Sequence, residues 1–183
     1  MNINYLLDKV EKPGRYTGGE WGSVTKNPAD VDIRFAFCFP DTYEIGMSHL
    51  GMKILYGLLN QRPDTYCERV FAPWTDMEQQ MREKNIPLYA LETKDPINKF
   101  DFVGFTLQYE MCYTNILNML DLAGVPLHSS ERTGLKNIVF AGGVCTFNPG
   151  PLADFIDFFS LGEGEEITPE ILSLYDRAKQ EDW

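Results

Sequence analysis

The chain predicts an α/β fold built on a doubly wound parallel sheet, and three observations carry that prediction. Short, almost wholly apolar runs recur along it, among them residues 35–40 (FAFCFP), 102–107 (FVGFTL) and 138–141 (IVFA). Segments with apolar residues at helical spacing lie between them. The joints are short and rich in glycine and turn residues. Strands covered on both faces read as continuous apolar runs, and strands that alternate with helices pair in parallel. A sheet of about five or six strands follows from the number of runs.

Residues 1–31 read as a polar, glycine-rich arm with turn signals at Pro13-Gly14, Gly18-Gly19 and Asn27-Pro28. Tyr16 and Trp21 are expected to pack this arm onto a single domain, residues 32–183. Residues 35–40 are the first strand and feed the turn Asp41-Thr42-Tyr43-Glu44. A helix follows, with Ile45, Leu50, Ile54, Leu55, Leu58 and Leu59 as its apolar positions. Residues 66–71 form the second strand. Thr75-Asp76-Met77-Glu78 reads as a capping box with Thr75 at the N-cap, opening a helix to about Lys84 with Trp74, Met77 and Met81 inward. Residues 87–91 read as an extra edge strand and LETKDPINK as a polar loop.

Residues 102–107 make the next core strand. A helix then runs through Ala123 to a stop at Gly124. Residues 137–141 are a further strand ending in Gly142-Gly143. A proline-rich turn and short helix occupy residues 148–155, and residues 155–161 are the last strand. After Gly162-Glu163-Gly164-Glu165-Glu166, Thr168 is expected to cap the final helix, with Pro169 at its first position.

Composition narrows the function. The 183 residues include 44% hydrophobic and 23% charged, enough for one ordinary core. No run approaches the ~18 apolar residues of a membrane span, and MNINYLLDKVEKPG is neither a signal nor a transit peptide. The cytoplasm is the expected compartment. A net charge of −11 with scattered Lys and Arg speaks against nucleic acid as a partner of this domain. Cys38, Cys67, Cys112 and Cys145 form no CxxC or CxxxCxxC cluster, and neither His49 nor His128 sits beside them, so they read as buried thiols and not as a zinc or iron–sulfur site.

Three loops are expected to converge at the carboxyl edge of the sheet, where open α/β sheets bind ligands. They hold Asp41-Thr42-Tyr43-Glu44-Ile45-Gly46, Thr106-Leu107-Gln108 and Gly142-Gly143. Over residues ~33 to ~167 these motifs resemble the cobalamin-binding domain of methionine synthase and of cobalamin-dependent mutases. That domain carries Asp-x-His-x-x-Gly, Ser-x-Leu and Gly-Gly at these places. Here Tyr43 stands where the family has its cobalt-ligating histidine. Residues 102–106, 139–143 and 157–165 resemble still more closely the N-terminal domains of cobalamin-binding-type radical S-adenosylmethionine proteins.

The resemblance implies a flavodoxin- or Rossmann-like topology and an accessory domain that is not itself catalytic. It implies Asp41, Tyr43, Gly46, Thr106, Gln108, Gly142 and Gly143 as cofactor-binding positions, with no metal ligand among them. It also implies a barrel on the same polypeptide carrying a four-iron cluster (4Fe-4S) and S-adenosylmethionine. The Gly-Glu-Gly-Glu turn reads as a join to that barrel, since its acids would repel phosphate. An isolated domain is expected to pair as a homodimer through Trp21 and Trp74. The competing reading is a degenerate domain without cofactor that recruits a substrate or another protein. A nucleotide-binding domain is disfavoured because no GxGxxG or P-loop follows a strand.

Overall fold

The computed structural model describes residues 3–181. Five strands, β1 (Ile33–Phe39), β2 (Thr65–Phe71), β3 (Phe102–Thr106), β4 (Ile138–Gly142) and β5 (Phe158–Phe159), pair in parallel in the order β2-β1-β3-β4-β5. This is the flavodoxin-like order, whose switch point lies between β1 and β3. Helices α1 (Asn4–Leu7) and α2 (Gly14–Thr17) belong to the N-terminal segment. They are followed by α3 (Tyr43–Ser48), α4 (Leu50–Gln61), α5 (Thr75–Lys84), α6 (Tyr113–Ala123) and α7 (Gly164–Gln180).

Period-two alternation gives the sheet two different faces. Phe35, Phe37, Phe102 and Phe140 point to the side covered by Met52, Tyr56 and Leu59 of α4 and Leu172 and Tyr175 of α7. Ala36, Cys38, Val103, Val139 and Ala141 point the other way, against Met77 and Met81 of α5 and Ile116 and Leu120 of α6. The first face is aromatic, the second small and aliphatic. Phe35 meets Phe140 edge-on at 5.6 Å, and Phe140 stacks on Phe158 at 5.1 Å. Gly104 lies in the middle of β3 because a Cβ there would stand 2.7 Å from the Phe35 ring. Ile3, Leu6, Val10 and Tyr16 join the aliphatic core, whereas Trp21, expected to pack beside Tyr16, is fully exposed.

Several local expectations are corrected. The helix after β1 is broken at His49 into α3 and α4, and it buries Met52, Tyr56 and Leu59 while Ile45, Leu50 and Ile54 are exposed. The N-cap of α5 is Trp74, not Thr75, and no side chain caps it; Trp74 lies outside under the Arg15 guanidinium, 5.3 Å from its ring. Residues 87–91 are buried but are not a strand; one bridge, Tyr89 to Pro96, folds the segment back on itself. The last strand shrinks to Phe158–Phe159. Helix α7 starts one turn before Thr168, behind N-cap Glu163, which places Glu165 and Glu166 at its positive end and Pro169 inside it.

The segment read as a polar loop, residues 91–99, closes the outer edge of β2. Arg69 donates to Glu92 Oε1 (2.7 Å) and Glu20 Oε2 (2.6 Å). The Glu92 carboxylate also takes the Arg69 backbone N–H at 2.8 Å. Glu68, fully buried, accepts from Arg34, from Thr93 N at 3.0 Å and from Thr93 Oγ1 at 2.5 Å. Carboxylates therefore take the place of a sixth strand along this edge, which answers the exposed-edge problem of sheets. No helix among the described residues is long and apolar enough to cross a membrane.

Candidate functional site

A hollow of about 170 Å³ opens at the carboxyl edge, between the aromatic face of the sheet and helices α4 and α7. Phe35, Phe37 and Phe140 floor it, Leu55 and Leu59 roof it from α4, and Thr168 closes it from α7. Its lip is unusually bare: Gly142 and Gly143 after β4, Gly162 and Gly164 after β5, and Gly51 on α4. A Cβ on Gly142 would meet nothing nearer than Ser160 Cβ at 4.0 Å, so this glycine leaves space open. Gly143 differs. Its φ of +105° and ψ of 177° suit glycine alone, and a Cβ would stand 2.7 Å from the Leu107 carbonyl oxygen.

Four of the seven positions expected at the site line this hollow together: Thr106, Gln108, Gly142 and Gly143. Gln108 Nε2 donates to Thr106 Oγ1 at 2.6 Å, so the threonine hydroxyl keeps its own proton for another acceptor. The other three sit apart. Asp41 Oδ2 accepts from the Tyr109 hydroxyl at 2.6 Å, and its Oδ1 takes the Thr42 N–H. This bond spans the loops after β1 and β3 at the switch point, and it pushes the Tyr109 phenol up to about 12. Gly46 presses against Phe71 and Phe39, where a side chain would not fit.

Tyr43 turns away from the hollow, edge-on to Phe71 at 5.4 Å, and donates to Glu20 Oε1 at 2.7 Å. Burial, followed by that carboxylate, pushes its phenol up to about 12. It stays protonated and offers a metal nothing.

His49, which carries no motif signal in the sequence, stands in the wall of the hollow. Its Nδ1 accepts from Met52 N at 3.1 Å, capping α4. The neutral ring then carries its proton on Nε2 and acts there as a donor, not a ligand. Among the described residues no group of three or more His, Cys, Asp or Glu is arranged to hold a metal ion. Leu55, Gly164 and Thr168 also line it, though the sequence places them only in a helix stripe, in the Gly-Glu-Gly-Glu turn and at a helix cap. Gly51 and Gly104, also in the lining, carry no motif signal of their own.

The mouth is surrounded by exposed apolar side chains. Ile45 and Leu50 follow β1, Tyr109 and Met111 follow β3, Val144 and Phe147 follow β4, and Leu161 follows β5. Met111 and Phe147 expose 86% and 83% of their surface.

Fold and site together define a flavodoxin-like α/β domain, with a glycine-lipped hollow at the carboxyl edge of a parallel sheet. The chain belongs to a known family, the N-terminal domain of radical SAM proteins, whose model matches residues 51–183. It is also 31% identical over 142 residues to the uncharacterized protein MJ0966 of Methanocaldococcus jannaschii. That alignment takes in 75% of this chain and 26% of the relative, so the chain spans about a quarter of the relative's length. No solved structure matches it.

Proposed function

We propose that this domain holds a corrinoid for a radical S-adenosylmethionine protein, by the cofactor's nucleotide tail and without a protein ligand on cobalt. The barrel, with its 4Fe-4S cluster and S-adenosylmethionine, lies elsewhere on the same polypeptide in this reading. The observation that carries it is the hollow: apolar, floored by phenylalanines, lipped by glycines and opening onto an apolar rim. Thr106 and Gln108 would hold polar atoms of the tail, while Gly142 gives it room. The rim residues Met111, Val144 and Phe147 offer an apolar bed for a broad, flat macrocycle. When bound, the corrinoid supplies a cobalt centre that carries a methyl group or an electron. The residues of this chain would position it and exclude water from its tail, and Tyr43 and His49 would offer the metal no ligand.

The test is a calorimetric and visible-spectrum titration with hydroxocobalamin. Wild type is expected to bind. Gly142→Val fills the hollow from a position with free space and ordinary backbone, so affinity should fall at least about tenfold, roughly the effect of a misfitting group in a packed site, with the urea midpoint nearly unchanged. Equal binding by Gly142→Val would remove the tail from the hollow. Absence of binding by wild type would favour the second reading, a cofactor-free recruitment module. The size of the hollow favours that reading, being below the ~300 Å³ at which small-molecule pockets usually begin, as does the turning of Tyr43 away from the edge.

A further inference from the structure

Beyond β5 the sheet edge is open, and a second hollow of about 580 Å³ runs between that two-residue strand and α7. Phe158, Phe159 and Leu161 form one wall, and Ile167, Ile171 and Leu174 the other. Helix α7 thus has two apolar faces. Thr168, Leu172 and Tyr175 point into the core. Ile167, Ile171, Leu174 and Ala178 follow one another at steps of four, three and four residues, a second stripe about a quarter-turn round the helix.

That spacing is the ridge on which a second helix packs. Leu174 and Leu161 remain 46% and 55% exposed beside it. By the same 3.6-residue geometry Glu166, Glu170 and Arg177, all exposed, flank the stripe on its solvent side, two acids to one base.

We infer that this groove seats one amphipathic helix with a basic flank, contributed by the part of the full-length protein outside residues 1–183. Charge decides between occupants. A second copy would set one net-acidic flank against another on domains that each carry −11, and like charges across an interface disfavour pairing. A helix bearing Lys or Arg beside its apolar stripe meets both the ridge and the acidic flank. Three-quarters of the matched relative lies outside the aligned region, which leaves ample chain to supply it. This surface adjoins the carboxyl edge at Ser160, which lines both hollows. The inference rests on reading the chain as one domain of a longer protein, but not on the corrinoid.

The test uses the full-length protein, free of cofactor, with the photoreactive residue p-benzoylphenylalanine replacing exposed Leu174. Irradiation and peptide mapping should give a cross-link within the same polypeptide, to one segment with apolar residues three and four apart and Lys or Arg alongside. Reversing the flank with Glu166→Lys and Glu170→Lys should lower the yield about fivefold, as lost charge complementarity does. A cross-link to a second copy, no cross-linked peptide, or a yield indifferent to charge reversal would each overturn the inference. Because no corrinoid is present, this experiment and the cobalamin titration fail independently.

Discussion

Arg69→Leu should lower the stability of the domain by about 3–5 kcal/mol, the cost of removing one partner from a buried ion pair. Arg69 is 6% exposed and joins two carboxylates that have come from opposite directions, Glu92 from the segment over β2 and Glu20 from the N-terminal segment. Burial alone would lower its basicity, but the two carboxylates more than offset this and hold it charged. Without it, Glu92 is left a buried charge with no cation, and burial already pushes its carboxyl above the ordinary range. Glu20 loses its cation and keeps only the Tyr43 hydroxyl as a side-chain partner, so residues 17–24 should become more susceptible to limited proteolysis. Urea unfolding checks the first effect and proteolytic mapping the second. A loss under about 1 kcal/mol, the size of a surface pair, would show that the network does not carry the β2 edge.

Gly143→Val should destabilise the domain by on the order of 3 kcal/mol or more, from backbone strain alone, with the clash at Leu107 added. Its neighbour should behave oppositely. Gly142→Val faces open space and is expected to stay within about 1 kcal/mol of wild type, as substitutions without a named defect do. Gly143 shapes the turn: its carbonyl accepts from Thr146 N at 3.1 Å and Thr146 Oγ1 at 2.7 Å. Gly142 shapes the hollow. Urea midpoints of the two variants, measured side by side, test this division. Equal loss at both would refute it.

The two glycines also show where sequence reading stops. A Gly-Gly pair after an apolar run announces a turn that needs a special backbone, but not which member supplies it. The strands were legible because burial on both faces leaves nothing but apolar residues in them. Residues 87–91 have the same apolar content for another reason: they pack over the end of β2, where Leu91 N donates to the Arg69 carbonyl at 2.8 Å. Composition cannot separate a strand from a buried strap. The ion network was invisible because its members, Glu20, Arg69 and Glu92, lie far apart in a chain full of ordinary surface acids. His49 is a similar case. Its place in the hollow follows from the break between α3 and α4, which no periodicity marks. Thr106, Gln108, Gly142 and Gly143 came together because strand order alone places the ends of β3 and β4 side by side.

The central claim is a corrinoid held by its tail with no imidazole on the metal. It is tested most directly by the electron paramagnetic resonance spectrum of the domain loaded with cob(II)alamin, alongside His49→Ala. Tyr43 is turned away and protonated, His49 presents a donor at Nε2, and a tail lodged in the hollow would keep the cofactor's own base off cobalt. The cobalt lines should therefore show no nitrogen superhyperfine splitting, and His49→Ala should leave them unchanged. A nitrogen splitting lost in His49→Ala would make that histidine a ligand. A splitting that persists in the variant would mean the cofactor's base never left the metal, and either result would contradict the account.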